Sequence, residues 1–155
     1  MPEKEISAGR VDTAEIILTG KTYAVRGALS SEAIIVGEGH GMLGTAGELL
    51  LAPGPMGEGE MAAQAVAALQ RSGIIGVIAP AFAWPFFRLC INLGLPPLTL
   101  WEAAEIRTGD RLRADLTGQV VKNLSSGTRY PIRNLSDLYV AILACGGMTG
   151  YIRAL

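Results

Sequence analysis

The chain has few of the residues that build metal sites and disulfide frameworks. It contains two cysteines, Cys90 and Cys145, and one histidine, His40. The cysteines are far apart in the sequence and neither belongs to a CxxC pattern, so neither a disulfide framework nor a zinc site is supported. We therefore predict no metal site in this chain and expect both cysteines to be buried as small hydrophobic residues.

Charge is also scarce. Only 17% of the residues are charged, with 13 basic and 14 acidic residues and no run of like charge. This composition argues against nucleic acid or anionic lipid as a partner. The opening MPEKEISAGR carries charges where a signal peptide needs an apolar core, and no stretch reaches the roughly 18 apolar residues of a membrane span. We expect a cytoplasmic protein with neither a membrane nor a nucleic-acid partner.

Hydrophobic residues are abundant instead, at 50% of the sequence. That fraction is more than a free-standing soluble domain usually needs, which indicates an apolar surface that a partner buries. A length of 155 residues fits one ordinary domain, so we predict a single domain spanning the whole chain.

Apolar periodicity predicts an α/β fold. Short or buried strands are predicted at Glu15–Thr19, Tyr23–Val25, Ala33–Val36 and Ile74–Ala79. Amphipathic helices are predicted at Glu60–Arg71, from near Pro85 to Gly94, and from Leu135 to Cys145. Alternation of strands with helices implies a βαβ crossover and a parallel sheet. A different pattern follows, and it predicts small antiparallel strands at Arg111–Leu116, Gln119–Asn123 and Thr128–Ile132.

The stretch GHGMLGTAGELLLAPGPMGEGE, from Gly39 to Glu60, is unusually rich in glycine. Its first six residues match the GxGxxG fingerprint of dinucleotide-binding loops. The context does not fit that fingerprint, because Pro53-Gly54-Pro55 stops any helix that could follow. A mobile surface loop is a second interpretation, since glycine and proline are common turn residues. A loop that binds a different anion is the third.

Three other stretches point to a family. GIIGVIAPAFAWPFFRLCINLGLPPLTL resembles a segment of the 3-isopropylmalate dehydratase small subunit in which a strand, the phrase SFARIFYRNAIN and a GLP turn follow one another. GQVVKNLSSGTRYPIRNLSDLYVAILACGGMTGYI resembles the C-terminal end of that family, and GRVDTAEIIL resembles its GDNIDTDVII opening. The resemblance implies a swivelling β/α domain of the aconitase type, with a mixed central sheet, flanking helices and a small antiparallel hairpin region.

The resemblance also implies a partner and a cofactor. Swivel domains of this family dock on a larger subunit that carries a [4Fe-4S] cluster. Such a cluster needs about three or four thiolates, so two separate cysteines cannot hold it and the metal has to belong to the partner. A homo-oligomer is the alternative assembly.

The family's substrate loop carries the motif GSSREHA after the third strand, which the resemblance places, counted without a gap from Val36, on Gly44–Leu50. The family's serine supplies a base and its arginine binds a substrate carboxylate. Thr45 and Ala46 stand where the two serines are expected and Gly47 where the arginine is expected, while Gly44 and Glu48 are unchanged. After Glu48 the chain takes about fifteen residues more than the family to reach the next strand.

The other motifs are altered too. Against SFARIFYRNAIN, Trp84 replaces the arginine, while Arg88 matches and is a candidate carboxylate ligand. Asp12 and Thr13 match the opening DTD, although they fit a turn or cap pair equally well. The polar pocket of the family is therefore expected to be mostly apolar here.

Three functions remain open. The first is the small subunit of a hydro-lyase or isomerase acting on a hydroxy-carboxylic acid, with Thr45 at the base position and the backbone amides of Gly44 to Gly47 binding an oxyanion. The second is a cofactor-independent enzyme for a larger apolar substrate, with His40 and Glu48 as acid and base. The third is a non-catalytic partner subunit that has kept only the docking surface.

Overall fold

A computed structural model describes residues 6–7, 10–11, 16–38 and 40–155. The sequence-predicted site residues Asp12 and Thr13, and the first glycine of the GxGxxG match, lie outside the described residues. The strands are β1 (Ile6–Ser7), β2 (Arg10–Val11), β3 (Ile17–Ala24), β4 (Leu49–Leu51), β5 (Gly76–Ala79), β6 (Pro97–Thr99), β7 (Arg111–Asp115), β8 (Val120–Asn123) and β9 (Arg129–Pro131). The helices are α1 (Ser31–Glu38), α2 (Ala62–Arg71), α3 (Trp84–Leu93), α4 (Asp137–Ala144) and α5 (Met148–Arg153), with a short 3-10 turn at Ala103–Glu105.

Seven of these strands form one mixed sheet in the order β6-β5-β4-β3-β7-β8-β9. The four strands β3 to β6 run parallel to one another, and β7 joins β3 antiparallel at the start of an antiparallel meander. An isolated antiparallel bridge between Thr99 and Arg133 brings the chain beyond β9 back to β6, so the sheet curls on itself. This is the α/β fold with a mixed sheet, flanking helices and an antiparallel hairpin region that the sequence predicts.

The central strands are buried on both faces. Leu50 packs into one apolar cluster with residues of α1, α2 and α3, whereas Leu49 and Leu51 pack into a second cluster that includes α4. All three leucines are at most 1% exposed. Parallel strands covered by helices on both sides have continuous apolar sequences. The predicted strand Ile74–Ala79 has the same kind of sequence.

The apolar run Ala33–Val36, predicted as a buried strand, lies in helix α1 instead. The prediction is wrong because four apolar residues in a row do not separate a strand from a helix segment. The Ser30 hydroxyl accepts the Ala33 N–H at 3.2 Å and caps the helix. Ile34 is completely buried, whereas Val36 is 62% exposed, so only one side of the run faces the core.

The two strands predicted on either side of Gly20-Lys21 are one continuous strand, β3. Its first part, Ile17 to Lys21, pairs with β7, and its last part, Thr22 to Ala24, pairs with β4. The break between strands expected at Gly20-Lys21 is absent, because pairing with β7, which is distant in the sequence, holds both residues in the extended ladder. Within the described residues, no helix is long and apolar enough to cross a membrane.

Candidate functional site

A cleft of about 610 Å³ opens where β5 and β6 end. In α/β sheets, ligands bind beyond the carboxyl ends of parallel strands, because loops from several strands meet there. The residues that line it come from the β5–α3 connection, the first turn of α3, the end of β6, the β7–β8 turn, the segment before α4 and the start of α4. They are Pro80, Ala81, Phe82, Trp84, Phe87, Thr99, Gln119, Asn134, Leu135, Ser136 and Tyr139.

One wall of the cleft is aromatic. Phe87 is 4% exposed and its ring centroid lies 5.9 Å from that of Phe82, 5.8 Å from that of Trp84 and 5.7 Å from that of Tyr139. The Trp84 ring stacks on Phe87 while remaining 57% exposed. Such rings bury a large apolar area and prefer stacked or tilted contacts of this kind, so this wall offers an apolar surface to the cleft.

The polar side chains of the lining form what we call the polar wall. They belong to Thr99, Gln119, Asn134 and Ser136. The Ser136 hydroxyl accepts the Tyr139 N–H at 3.2 Å and caps α4, and the Gln119 side-chain amide donates to the Leu135 carbonyl. Gln119 and Asn134 both have left-handed backbones, with φ of 60° and 58°. Asparagine adopts this conformation readily, and Gln119 adopts it in the tight turn between β7 and β8, where left-handed residues are usual.

The sequence-predicted residue Trp84 lies in this cleft, but Arg88 does not. Arg88 is exposed on α3 and lines a separate groove of about 210 Å³, to which Trp84 and Tyr139 also contribute. The groove therefore adjoins the cleft through Trp84 and Tyr139, but Arg88 does not line the cleft itself.

The glycine segment Gly44–Glu48 lies at the opposite edge of the sheet, because it enters β4 at its amino end. The Gly47 N–H donates to the Gly73 carbonyl at 2.9 Å, and the Ile75 N–H donates to the Glu48 carbonyl at 3.0 Å. The residues of these two hydrogen bonds directly precede β4 and β5, at the amino ends of the two strands. The predicted catalytic and binding residues of this segment are thus not brought together with Trp84.

Within that segment the geometry is that of a turn. The Glu48 carboxylate accepts the Thr45 N–H at 2.6 Å, which stabilises the turn before β4. Thr45, Ala46 and Gly47 are exposed, and Gly44 is half-buried. His40 is exposed in the turn after α1, with its backbone N–H donating to the Gly37 carbonyl at 3.1 Å. The structure gives the His40 side chain no polar partner among the described residues.

A second glycine-rich segment, 52–61, leaves β4 at the carboxyl edge and leads into α2. The Ser31 hydroxyl donates to the Gly57 carbonyl at 2.8 Å, and the Ser31 N–H donates to the Glu58 carbonyl at 2.7 Å. The Met56 N–H donates to the Ala81 carbonyl at 3.0 Å, which ties this segment to a lining residue of the cleft. The sequence pattern does not place the segment 52–61 at this edge, because it does not identify Leu49–Leu51 as a strand.

Metal-ligating side chains do not gather in the described part of the chain. Among these residues there is no group of three or more His, Cys, Asp or Glu side chains that could hold a metal ion. Cys90 is completely buried, and burial raises the pKa of its thiol far above the ordinary range. The described residues therefore do not fit an iron–sulfur cluster.

The fold defines the class of protein. A solved structure of aconitase X from Thermococcus kodakaraensis, 16% identical in sequence, superposes with a TM-score of 0.50 over 75% of this chain and 89% of that one. At that identity the likeness concerns the fold alone. A solved structure of 3-isopropylmalate dehydratase from Methanocaldococcus jannaschii superposes with a TM-score of 0.79 at 28% identity, covering 89% of this chain and 94% of that one. The described residues therefore have the α/β fold that these two proteins share, the aconitase-type swivel fold.

Sequence comparison gives the particular family. The 3-isopropylmalate dehydratase small subunit of Pyrobaculum calidifontis is 40% identical over 108 residues, which are 69% of this chain and 67% of that protein. The small subunit of Endomicrobium trichonymphae is 34% identical over 110 residues, 70% of this chain and 68% of that protein. A scan against protein-family models finds no match. The chain belongs to the 3-isopropylmalate dehydratase small-subunit family.

Proposed function

We propose that this chain is the small subunit of a cytoplasmic hydro-lyase or isomerase that acts on a hydroxy-carboxylic acid together with a large subunit. The observation that carries the proposal is the cleft at the carboxyl edge, built around the segment Gly73–Leu100 that resembles the family. Its aromatic wall offers an apolar surface and its polar wall offers hydrogen-bonding groups, which suits a small organic acid with one apolar and one polar side.

The large subunit is proposed to hold the [4Fe-4S] cluster, because the described residues of this chain do not fit one. When bound, such a cluster supplies Lewis-acid chemistry toward a substrate hydroxyl. This chain's own residues bind and orient the substrate: Phe87 and Trp84 cover its apolar part, and the polar wall meets its oxygens.

We further propose that the segment 52–61, rather than Gly44–Glu48, occupies the position of the family's substrate loop. A substrate loop that follows a strand and precedes a helix corresponds to the connection from β4 to α2. Gly59 lies fifteen positions beyond Gly44. If the family's GSSREHA motif is aligned to begin at Gly59, this chain no longer has about fifteen residues more than the family before the next strand. The motif position then reads GEMAAQA, from Gly59 to Ala65, where neither serine nor the arginine is present.

The roles predicted for Thr45, Glu48 and His40 remain predictions. Their place at the amino edge, away from the cleft, argues against a direct part in catalysis. The base of the reaction then has to come from the large subunit or from another residue of the cleft.

One observation favours a second function. The residues that line the cleft include no arginine, lysine or histidine, and a carboxylate ligand normally requires such a group. A cofactor-independent enzyme for a larger apolar substrate, or a non-catalytic partner subunit, is the alternative proposal.

The test is co-expression with a cluster-bearing large subunit of the family, followed by co-purification and an assay of hydration of an unsaturated dicarboxylate. The hydro-lyase proposal expects a stable complex whose activity requires both chains. A chain that forms a homo-oligomer and turns over an apolar substrate without iron would overturn it. A stable but inactive complex would favour the non-catalytic partner.

A further inference from the structure

Trp84 offers an uncovered ring face at the cleft. Its indole lies almost parallel to the Phe87 ring, with an interplanar angle of 14° and ring centroids 5.8 Å apart. Trp84 is nevertheless 57% exposed, and within the described part of the chain it makes no other ring contact. Because Phe87 covers one face of the indole, the exposed area includes the opposite face. A ring that is stacked on one side accepts a second ring on the other.

Trp84 lies where two cavities adjoin. It lines both the cleft of about 610 Å³ and the groove of about 210 Å³, as does Tyr139. The volume of the cleft falls within the roughly 300–1,000 Å³ that is typical of sites for drug-sized ligands, so it has room for a ring in addition to a short hydroxy-acid chain. Apolar side chains line much of the groove, namely Ile91, Leu138, Ile142 and Met148. A ring stacked on Trp84 can therefore contact apolar side chains of both cavities.

The composition of the cleft favours a ring over a further charged group. Four of its eleven lining residues are aromatic, in a chain with 6% aromatic residues. The described lining residues include no arginine, lysine or histidine, so an additional anionic group of the substrate would find no counter-ion among them. Trp84 itself stands where the family's SFARIF phrase has its arginine. At this position, therefore, an aromatic ring replaces a cation.

We propose that the substrate of this site is a hydroxy acid whose side chain carries a planar aromatic ring, and that this ring stacks on the face of Trp84 that Phe87 leaves free. Trp84 then determines specificity through ring stacking. The inference rests on the proposed hydro-lyase function, because it specifies the side chain of that hydroxy acid. Aromatic pairs attract each other more strongly than their buried area accounts for, so the site should distinguish a planar ring from a saturated ring of similar size.

The first experiment compares two hydroxy acids that differ only in their ring. Phenyllactate carries a planar aromatic ring, and cyclohexyllactate carries a saturated ring of similar size on the same hydroxy-acid group. Each is titrated into the isolated chain, and binding is followed by chemical-shift changes in NMR spectra. We expect saturable binding of phenyllactate, with a midpoint about two- to ten-fold lower than that of cyclohexyllactate. A site that selects by apolar area alone would not prefer the phenyl ring.

Substitutions of tryptophan locate the preference. Trp84→Leu should abolish it, whereas Trp84→Tyr, which keeps an aromatic ring, should retain it. The matched control is Trp101→Leu, because Trp101 is also exposed but does not line the cleft. This control should leave both midpoints within about two-fold of the parent. Thermal unfolding of each variant checks that the fold is retained, since Trp84 stacks on the buried Phe87.

Several results would overturn the inference. They are an absence of saturable binding, equal midpoints of the two acids in the parent, a preference that survives in Trp84→Leu, and a preference that disappears in Trp101→Leu. A further contrary result is a Trp84→Leu variant that binds phenyllactate as the parent does but no longer co-purifies with the large subunit. Trp84 would then contact a side chain of the partner instead of a substrate ring.

Assays of the complex separate this inference from the hydro-lyase proposal. Hydration of a maleate that bears a benzyl group is compared with hydration of one that bears a cyclohexylmethyl group. An active complex without a preference for the benzyl compound overturns the ring specificity and leaves the hydro-lyase function standing. A ring preference of the isolated chain that depends on Trp84, without activity in any complex, does the reverse.

Discussion

Substitution of Gly57 by alanine should destabilise the protein far more than the same substitution at Gly47. A Cβ at Gly57 would lie 2.2 Å from Cγ of Phe86 and 2.5 Å from its Cβ, and Phe86 is completely buried. The side chain cannot withdraw without disturbing the core. Gly57 also has φ of +94°, a region that side-chain-bearing residues rarely adopt.

The expected magnitude has two parts. The backbone contribution is about 1–2 kcal/mol for a non-glycine residue at positive φ. Overpacking against a buried ring adds about 1–3 kcal/mol, giving about 2–5 kcal/mol in all for Gly57→Ala. Gly47 has φ of +86° with no atom within 4 Å of a built Cβ, so Gly47→Ala should cost the backbone contribution alone, about 1–2 kcal/mol.

Guanidinium unfolding of the two variants and the parent measures both costs. A domain of this size has a free energy of unfolding of roughly 5–15 kcal/mol, so both variants should be folded enough to measure. Equal costs at the two positions, or a larger cost at Gly47, would refute the packing of the segment 52–61 against α3 that the structure describes.

Three further outcomes are expected. Glu48→Ala should lower the free energy of unfolding by about 0.5–2 kcal/mol, the usual cost of losing a side-chain acceptor for a turn or cap N–H, as read from urea unfolding. Glu38→Gln should lower stability at pH 7, because the hydrogen bond from Arg71 lowers the pKa of the Glu38 carboxyl in the folded state. That stabilisation is present above the ordinary glutamate pKa and is lost as the pH falls through the lowered pKa of the folded state. The difference in free energy of unfolding between parent and variant should therefore vanish in acid and shrink with salt. A difference that grows in acid would contradict this prediction. Labelling with iodoacetamide followed by mass spectrometry should modify the half-buried Cys145 before the buried Cys90, whose pKa is raised, and the reverse order would be inconsistent with the burial.

The elements that local patterns specify were predictable from the sequence. Helix α2 has apolar residues on one stripe and was expected at Glu60–Arg71, two residues from its observed start. Helix α3 has a proline in its first turn and ends at Gly94, whose left-handed backbone closes it. The antiparallel strands β7, β8 and β9 alternate between buried and exposed residues, which is a period that local sequence displays directly.

The elements that long-range pairing decides were not predictable in the same way. Leu49–Leu51 consists of good helix formers, and it is a strand because it fills the gap between β3 and β5. β6, Pro97–Thr99, is a three-residue strand because it pairs with β5 at the edge of the sheet. The run Ala33–Val36 has the apolar character of a buried strand but lies in helix α1, because a short apolar run does not separate the two structures.

The candidate site was therefore predicted only in part. Trp84 was singled out from the altered motif and does line the cleft. Thr99 and Asn134 carried no signal in the sequence, because they reach the cleft through the bridge between Thr99 and Arg133, which joins distant parts of the chain. One feature of the sequence does indicate the polar wall. Thr99 ends a parallel strand, and ligands bind beyond the carboxyl ends of such strands.

The most direct measurement of where the substrate binds is kcat/KM of the complex with the large subunit for Trp84→Ala and Thr45→Ala. Both residues are exposed, but Trp84 also stacks on the buried Phe87, so thermal unfolding of each variant accompanies the assay. If the site is the carboxyl-edge cleft, Trp84→Ala lowers kcat/KM by about ten-fold or more, equivalent to about 1.4 kcal/mol of transition-state binding, and Thr45→Ala leaves it within two-fold. A large loss for Thr45→Ala with little change for Trp84→Ala would contradict the account and return the site to the amino-edge glycine segment.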